Sequence, residues 1–152
     1  MRLYSTTSIL PGYEISTDPA RLDLDLIHRF LSSSYWADGR PRDVVERSIR
    51  HSLCFGVYAL DPRPAELEAG AQVAFGRVIT DYATFGYLAD VFVLPSHRGR
   101  GIATGLMRAV VAHPAVQELQ VMLLRTRDAH GLYTQFGFGP LPQPDEMMGR
   151  YG

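Results

Sequence analysis

Arg98-Gly99-Arg100-Gly101 is the stretch whose residue types and spacing point most directly to chemistry. An apolar run, Val91-Phe92-Val93, leads into it and must stop as a strand at Pro95, which has no N–H to continue a ladder. Directly after it, Ile102, Leu106 and Val110 recur at four-residue spacing beside Ala103, Met107 and Val111, so a wide apolar helical face begins at the glycines. The start of a helix carries free backbone N–H groups and the positive end of the dipole, and glycine lets a phosphate come close to both. Two arginines add charge. The lysine and Ser/Thr of a Walker loop and the G-x-G-x-x-G of a dinucleotide turn are both missing, so this is a third kind of phosphate grip or a solvated turn. Asp90 is a lone carboxylate in the apolar strand, where burial would raise its pKa toward that of a useful base, or where it could instead hold Arg77 of the neighbouring strand. The single cysteine, Cys54, lies in an apolar run and reads as an inert buried thiol; no Cys/His cluster has metal-ligand spacing, so no metal is expected.

Several elements must position these groups. Residues 12 to 17 alternate weakly as a first strand. Asp18-Pro19 then caps one helix running to about Ser32, with Leu22, Leu26, Ile27, Phe30 and Leu31 on its inner face. A Ser-rich loop carries Tyr35 and the only tryptophan, Trp36, and closes at Asp38-Gly39. Pro41 opens a second helix with Val44, Val45, Ser48 and Ile49 inward. Three strands follow as a meander: Leu53 to Ala59, Val73 to Ile79 interrupted by Arg77, and Tyr87 to Leu94, with an exposed connection from Asp61 to Gly70. The helix after the Gly/Arg string ends at His113-Pro114. Leu119, Val121, Met122, Leu123 and Leu124 form an apolar run, expected as a strand buried on both faces and parallel to Tyr87–Leu94 because a helix separates the two. The phosphate loop would then sit at a carboxyl end of the sheet, where open α/β sheets bind ligands. Ala129 to Phe136 reads as a short helix, and Glu146 to Tyr151 as a last edge strand.

With 152 residues, 46% hydrophobic and 20% charged, the chain suits one domain over residues 1–152. A formal net charge of −1 and the lack of a basic stripe argue against nucleic acid as partner, and no apolar run is long enough to engage a membrane as a span. No signal-peptide core precedes Tyr13, so a cytoplasmic protein is expected.

The string Arg98 to Ala103 resembles the R/Q-x-x-G-x-G/A signature of the GCN5-related N-acetyltransferases (GNAT), which hold the pyrophosphate of acetyl-CoA. Farther on, Ala129, Leu132, Tyr133, Gly137 and Phe138 match that family's A-x-x-L-Y-x-x-x-G-F element at its usual distance. With the meander and the two early helices, the resemblance covers essentially everything from residue 12 onward. It implies an α/β (α+β) domain with a mixed central sheet of about six to seven strands and about four helices. It implies acetyl-CoA bound through the backbone of Val91, Phe92 and Val93 and by Arg98, Gly99, Arg100, Gly101, Ile102, Ala103 and Thr104. Thr126 stands where the family often has an asparagine that touches the coenzyme; it keeps a hydroxyl and loses the amide's paired donor and acceptor.

Acyl transfer from a thioester to an amine needs a neutral amine, a proton acceptor, oxyanion stabilisation and a proton for the thiolate. By the resemblance, Tyr133 is the general acid, since a phenol near ~10 can protonate a thiolate of parent pKa near ~8.5. Asp90 is the candidate base, and His130, three residues before Tyr133, a second proton carrier or a local hydrogen bonder. His97 would touch phosphate or solvent. Trp36, Tyr82 and Tyr87 are candidate walls for the acceptor, a small-molecule or peptide amine. A longer acyl donor, and a non-catalytic acyl-CoA-binding regulator, are the alternatives; the sheet's antiparallel edges could pair in a homodimer.

Overall fold

The computed structural model describes residues 4–60 and 70–152. Among these residues six strands form one sheet in chain order: β1 (Thr6–Leu10), β2 (Tyr13–Ser16), β3 (Leu53–Ala59), β4 (Gln72–Thr80), β5 (Phe85–Val93) and β6 (Val121–Leu124). All neighbours are antiparallel except β5 and β6, which run parallel. That exception follows from the intervening α3 (Ile102–Ala112), since a parallel return needs a crossover. The mixed sheet anticipated from the sequence is therefore present, and the described residues include five α-helices, among them the short α4 (Pro114–Gln117) that follows α3.

Helices α1 (Leu24–Ser32) and α2 (Arg42–Arg50) cover one face, where Ile27, Leu31, Val45 and Ile49 meet Phe75 and Phe92. On the other face lie α3 and α5 (His130–Thr134), which bury Ile102, Leu106, Val110 and Tyr133 against Val57, Val73 and Leu88. With helices on both sides, all seven residues of β3 are buried, so its sequence reads as continuous apolar rather than alternating. A Cβ at Gly76 of β4 would come within 3.3 Å of Val91 and 3.6 Å of Leu106, so this glycine lets α3 lie close on the strand.

Four expectations are corrected. The chain begins with a hairpin, since β1 pairs with β2 through a turn at Gly12 (φ 85°); polar Thr6, Thr7 and Ser8 hid an edge strand. The first helical segment is split into a 3₁₀ turn, Pro19–Arg21, capped by Asp18, and α1 capped by Asp23, so a second capping aspartate restarts the helix. β6 is only partly buried, with Val121 exposed, because it is the sheet's edge. It is the edge because residues 147–152 form no strand. The connection over residues 61–69 lies outside the described residues. Among the described residues no helix is long and apolar enough to cross a membrane.

Candidate active site

The sheet opens between β5 and β6, ahead of the Gly/Arg string. β6 pairs with β5 only from Phe85 to Leu88, while β5 runs on to Val93 with β4 alone as partner. Past that point the chain leaving β6 diverges, and a cleft of about 1020 Å³ lies between Ala89, Asp90 and Val91 on one wall and Thr126, Ala129 and Tyr133 on the other. The β4–β5 register changes there: Phe75 faces Phe92 but Arg77 faces Ala89, so β5 carries one extra residue. Such a bulge leaves backbone groups without ladder partners at the cleft wall. Asp90 sits in it at φ 58°, a left-handed conformation that few residues other than glycine adopt.

The Asp90 carboxylate is buried and fully engaged. Its Oδ1 accepts from Trp36 Nε1 (3.0 Å), and its Oδ2 accepts from Arg40 (2.8 Å) and from Arg77 Nε (2.7 Å). Arg77 donates further to Ser52 Oγ at 3.0 Å. The apolar face that Arg77 interrupts is thus repaired by Asp90, and the α1–α2 loop is tied to the bulge. Of the two roles open to Asp90 from sequence, holding Arg77 is the one its contacts display. Phe30, stacked on Phe92 with ring centroids 4.1 Å apart, supports Trp36 from beneath.

At the carboxyl end of β5, a 3₁₀ turn (Pro95–His97) leads into Gly99 (φ 77°) and Gly101 (φ 83°) and then α3. A Cβ at either glycine would meet nothing within 4 Å, so their backbone faces open space in front of the helix N-terminus. This is the shape and charge a pyrophosphate requires, and the residues present fit one. Both arginines are oriented by the protein: Arg98 Nε donates to the Val93 carbonyl (3.0 Å), and Arg100 donates to Tyr13 Oη (3.0 Å). Ile102 is buried, leaving only its backbone to a ligand, while Ala103 and Thr104 are partly exposed on the first turn.

His97 reaches neither solvent nor the phosphate space. It is completely buried, with Nδ1 2.7 Å from Tyr13 Oη and Nε2 without a partner among the described residues. Burial, and then the charge of Arg100, lower its pKa. His113, whose Nδ1 accepts from the Ala115 N–H, is lowered by burial too. Because the unfolded chain takes up these protons at higher pH than the folded one, both contributions are present above the unfolded value near ~6.5 and are lost as pH falls below it. Urea unfolding should accordingly show lower stability at pH 5 than at pH 7.5, and His97→Gln should shrink that difference. An unchanged difference in the variant would remove His97 as a source.

Tyr133 is buried, packs edge-on against Phe138 and lines the cleft opposite the bulge. Burial, and then the nearby Tyr35, raise its phenol above the ordinary value, so it stays protonated through neutral pH. Thr126 Oγ1 accepts from the Ala129 N–H (3.0 Å), which fixes the turn entering α5. Trp36 and Tyr87 line the cleft, but Tyr82 does not. Its place is corrected: it lies in the β4–β5 turn, beside a separate cavity of about 720 Å³ with Ile49, Cys54 and His113. Burial pushes the Cys54 thiol up to about 12, which leaves it without nucleophilic character at neutral pH. His130, exposed, begins α5. Sequence reasoning missed Arg40, Tyr35, Arg125 and Arg127, all at the cleft. Arg125 and Arg127 flank Thr126 directly, a signal that was available; Arg40, one arginine among several before a proline, gave none.

An acetyltransferase (GNAT) domain model matches residues 55–140. A candidate acetyltransferase of Gibberella zeae is 37% identical over 154 residues, covering 90% of this chain and 85% of its own length. The crystal structure of a candidate GNAT acetyltransferase from Xanthomonas campestris pv. campestris is 51% identical, with a TM-score of 0.85 over 94% of this chain and 95% of its own. A Clostridium acetobutylicum protein whose structure contains acetyl-CoA shares the fold alone, at 17% identity and a TM-score of 0.60 over 98% of this chain and 95% of its own. A sheet parted beside a bulge, a glycine-lined helix start beyond it and a buried tyrosine across the gap therefore belong to a member of the GNAT superfamily, and the protein is an acyltransferase.

Proposed function

We propose that the protein transfers the acetyl group of acetyl-CoA to a primary amine of a small molecule or peptide by direct attack. The observation that carries this reading is the parting of β5 from β6 after Leu88, which places the Asp90–Val91 bulge and Tyr133 on facing walls of one cleft, next to the open helix start at Gly99 and Gly101. Acetyl-CoA supplies the activated thioester when bound. The unladdered backbone of the bulge orients the acyl carbonyl and stabilises its oxygen as charge develops there. Gly99, Gly101 and the first turn of α3 hold phosphate oxygens through backbone N–H groups, with Arg98 and Arg100 adding charge. Thr126 keeps its hydroxyl proton free to donate, since its oxygen is what the Ala129 N–H occupies.

Tyr133 holds a proton at Oη for the departing thiolate, and its raised pKa keeps that proton in place over the working range. Asp90, committed to three donors, positions rather than accepts: it holds the bulge and the Trp36 loop. The acceptor enters as the neutral amine and gives its proton to water at the exposed mouth of the cleft. Cys54 takes no part, because its buried thiol does not ionise.

Calorimetry with acetyl-CoA and an assay of coenzyme A release against an amine panel test this together. Wild type should bind at micromolar strength. Tyr133→Phe should bind within about threefold of wild type and lose roughly 10²–10⁴-fold in kcat, the range of general acid catalysis. Absence of acetyl-CoA binding refutes the acetyltransferase reading, whereas binding with a kcat untouched by Tyr133→Phe removes Tyr133 as the acid.

A further inference from the structure

The walls of the cleft away from the phosphate loop are strongly cationic. Among the described residues, Arg40, Arg77, Arg125 and Arg127 line it there, against only Asp90 and Asp128. Arg40 and Arg77 share the single Asp90 carboxylate, which leaves a surplus positive charge on that wall. Among the described residues, neither Arg125 nor Arg127 has a carboxylate within ion-pair distance. A guanidinium carries five N–H donors; Arg40 places one on Asp90 and is only partly exposed, so its remaining donors border the cleft from a fixed side chain. Arg127 is likewise held, with its guanidinium 3.7 Å from the centroid of the Tyr35 ring, a cation–π contact that sets the plane of the fork. The Trp36 loop that brings Arg40 and Tyr35 is itself pinned to the bulge through Asp90.

A bare cationic amine would be repelled from such a wall, and an oxyanion would be gripped by preoriented forks in the bidentate manner that suits arginine. We infer that the acceptor is an amine that also carries an anionic group, a carboxylate or a phosphate, which Arg40, Arg125 and Arg127 hold while the amine faces the bulge. This rests on the acetyltransferase reading for the chemistry at the amine, and on the arginines alone for the anion. The class it names includes amino acids and phosphorylated amines.

Trp36, the only tryptophan, lines the cleft and reports on this directly. Its fluorescence would be followed at constant ionic strength, with and without saturating coenzyme A, on addition of glycine, alanine, phenylalanine and glutamate. Their carboxamides would be the neutral counterparts, and O-phosphoethanolamine would be set against ethanolamine. At least one carboxylate or phosphate compound should bind about tenfold or more tighter than its neutral partner, and the favoured arm separates carboxylate from phosphate. Arg127→Gln and Arg125→Gln should each remove about fivefold or more of that preference, while calorimetric acetyl-CoA binding stays intact. Neutral partners binding as well as the anions, or no anionic amine binding to a protein that does bind acetyl-CoA, overturns the inference. A failure of acetyl-CoA to bind refutes the acetyltransferase reading instead, and the titration without coenzyme A still decides the anion preference.

Discussion

Gly101→Glu should abolish acetyl-CoA binding, weakening it by about a hundredfold or more, which corresponds to about 2.7 kcal/mol. Two effects combine at this position. Its φ of 83° lies in the left-handed region, where a residue with a Cβ pays roughly 1–2 kcal/mol. Nothing lies within 4 Å of the Cβ site, so the new side chain meets no clash and its carboxylate stands in the open space before α3. There it competes for the same backbone N–H groups and the same dipole end that a pyrophosphate would use, and repels the phosphate charge. Gly101→Ala separates the two contributions: it carries the conformational cost alone. Both variants should lose roughly 2–8 °C in Tm, but only the glutamate should lose acetyl-CoA in calorimetry. Binding by Gly101→Glu within threefold of wild type would mean that the glycine string is a turn and not a phosphate grip.

The parts of the site legible in the sequence are those where a local rule forces a local geometry. Pro95 had to end β5, the Ile102, Leu106, Val110 spacing had to begin a helix, and glycines between them had to adopt conformations that open the backbone. Tyr133 could be placed at the cleft because two motifs at fixed spacing agreed. The bulge was not legible, because nothing in Ala89-Asp90-Val91 announces an extra residue; a glycine would have signalled the left-handed turn, and an aspartate does not. The partners of Asp90 arrive from positions 36, 40 and 77, so the network depends on tertiary packing that no window along the chain contains. The edges failed for a related reason. β1 opens on exposed Thr6 and Thr7 and reaches the core only at Leu10, while one face of β6 packs on the core through Met122 and Leu124. Composition along an edge strand reports the one face that is covered, and periodicity over four or five residues is too short to show which.

Asp90→Asn should be the most destabilising single substitution in the cleft, by about 3–5 kcal/mol, because removing one member of a buried ion pair leaves the other charge uncompensated. The asparagine keeps the size of the side chain and tolerates φ 58° nearly as well as aspartate, so backbone strain is held constant while the charge is lost and one acceptor oxygen becomes an NH2 donor facing other donors. What remains is Arg77, buried against Ser52, and Arg40 beside it, with no anion between them. The expected fall in Tm is roughly 6–20 °C. Arg77→Met in the same chain removes the more deeply buried cation, and the pair of substitutions should cost at least 1 kcal/mol less than the sum of the two singles. A second readout separates this from general loss of packing: Trp36 Nε1 donates to the same carboxylate, so the loop should loosen and Trp36 fluorescence should become more accessible to acrylamide under conditions where circular dichroism still reports a folded chain. Additive single-mutant costs, or an Asp90→Asn protein within 1 kcal/mol of wild type with Trp36 equally shielded, would show that the carboxylate is free and would restore it as a candidate base. A large, coupled loss would instead explain why the strand carries an aspartate in a left-handed conformation at all: the bulge that opens the cleft is held in place by the charges it buries, and the acceptor wall is assembled by the same three hydrogen bonds.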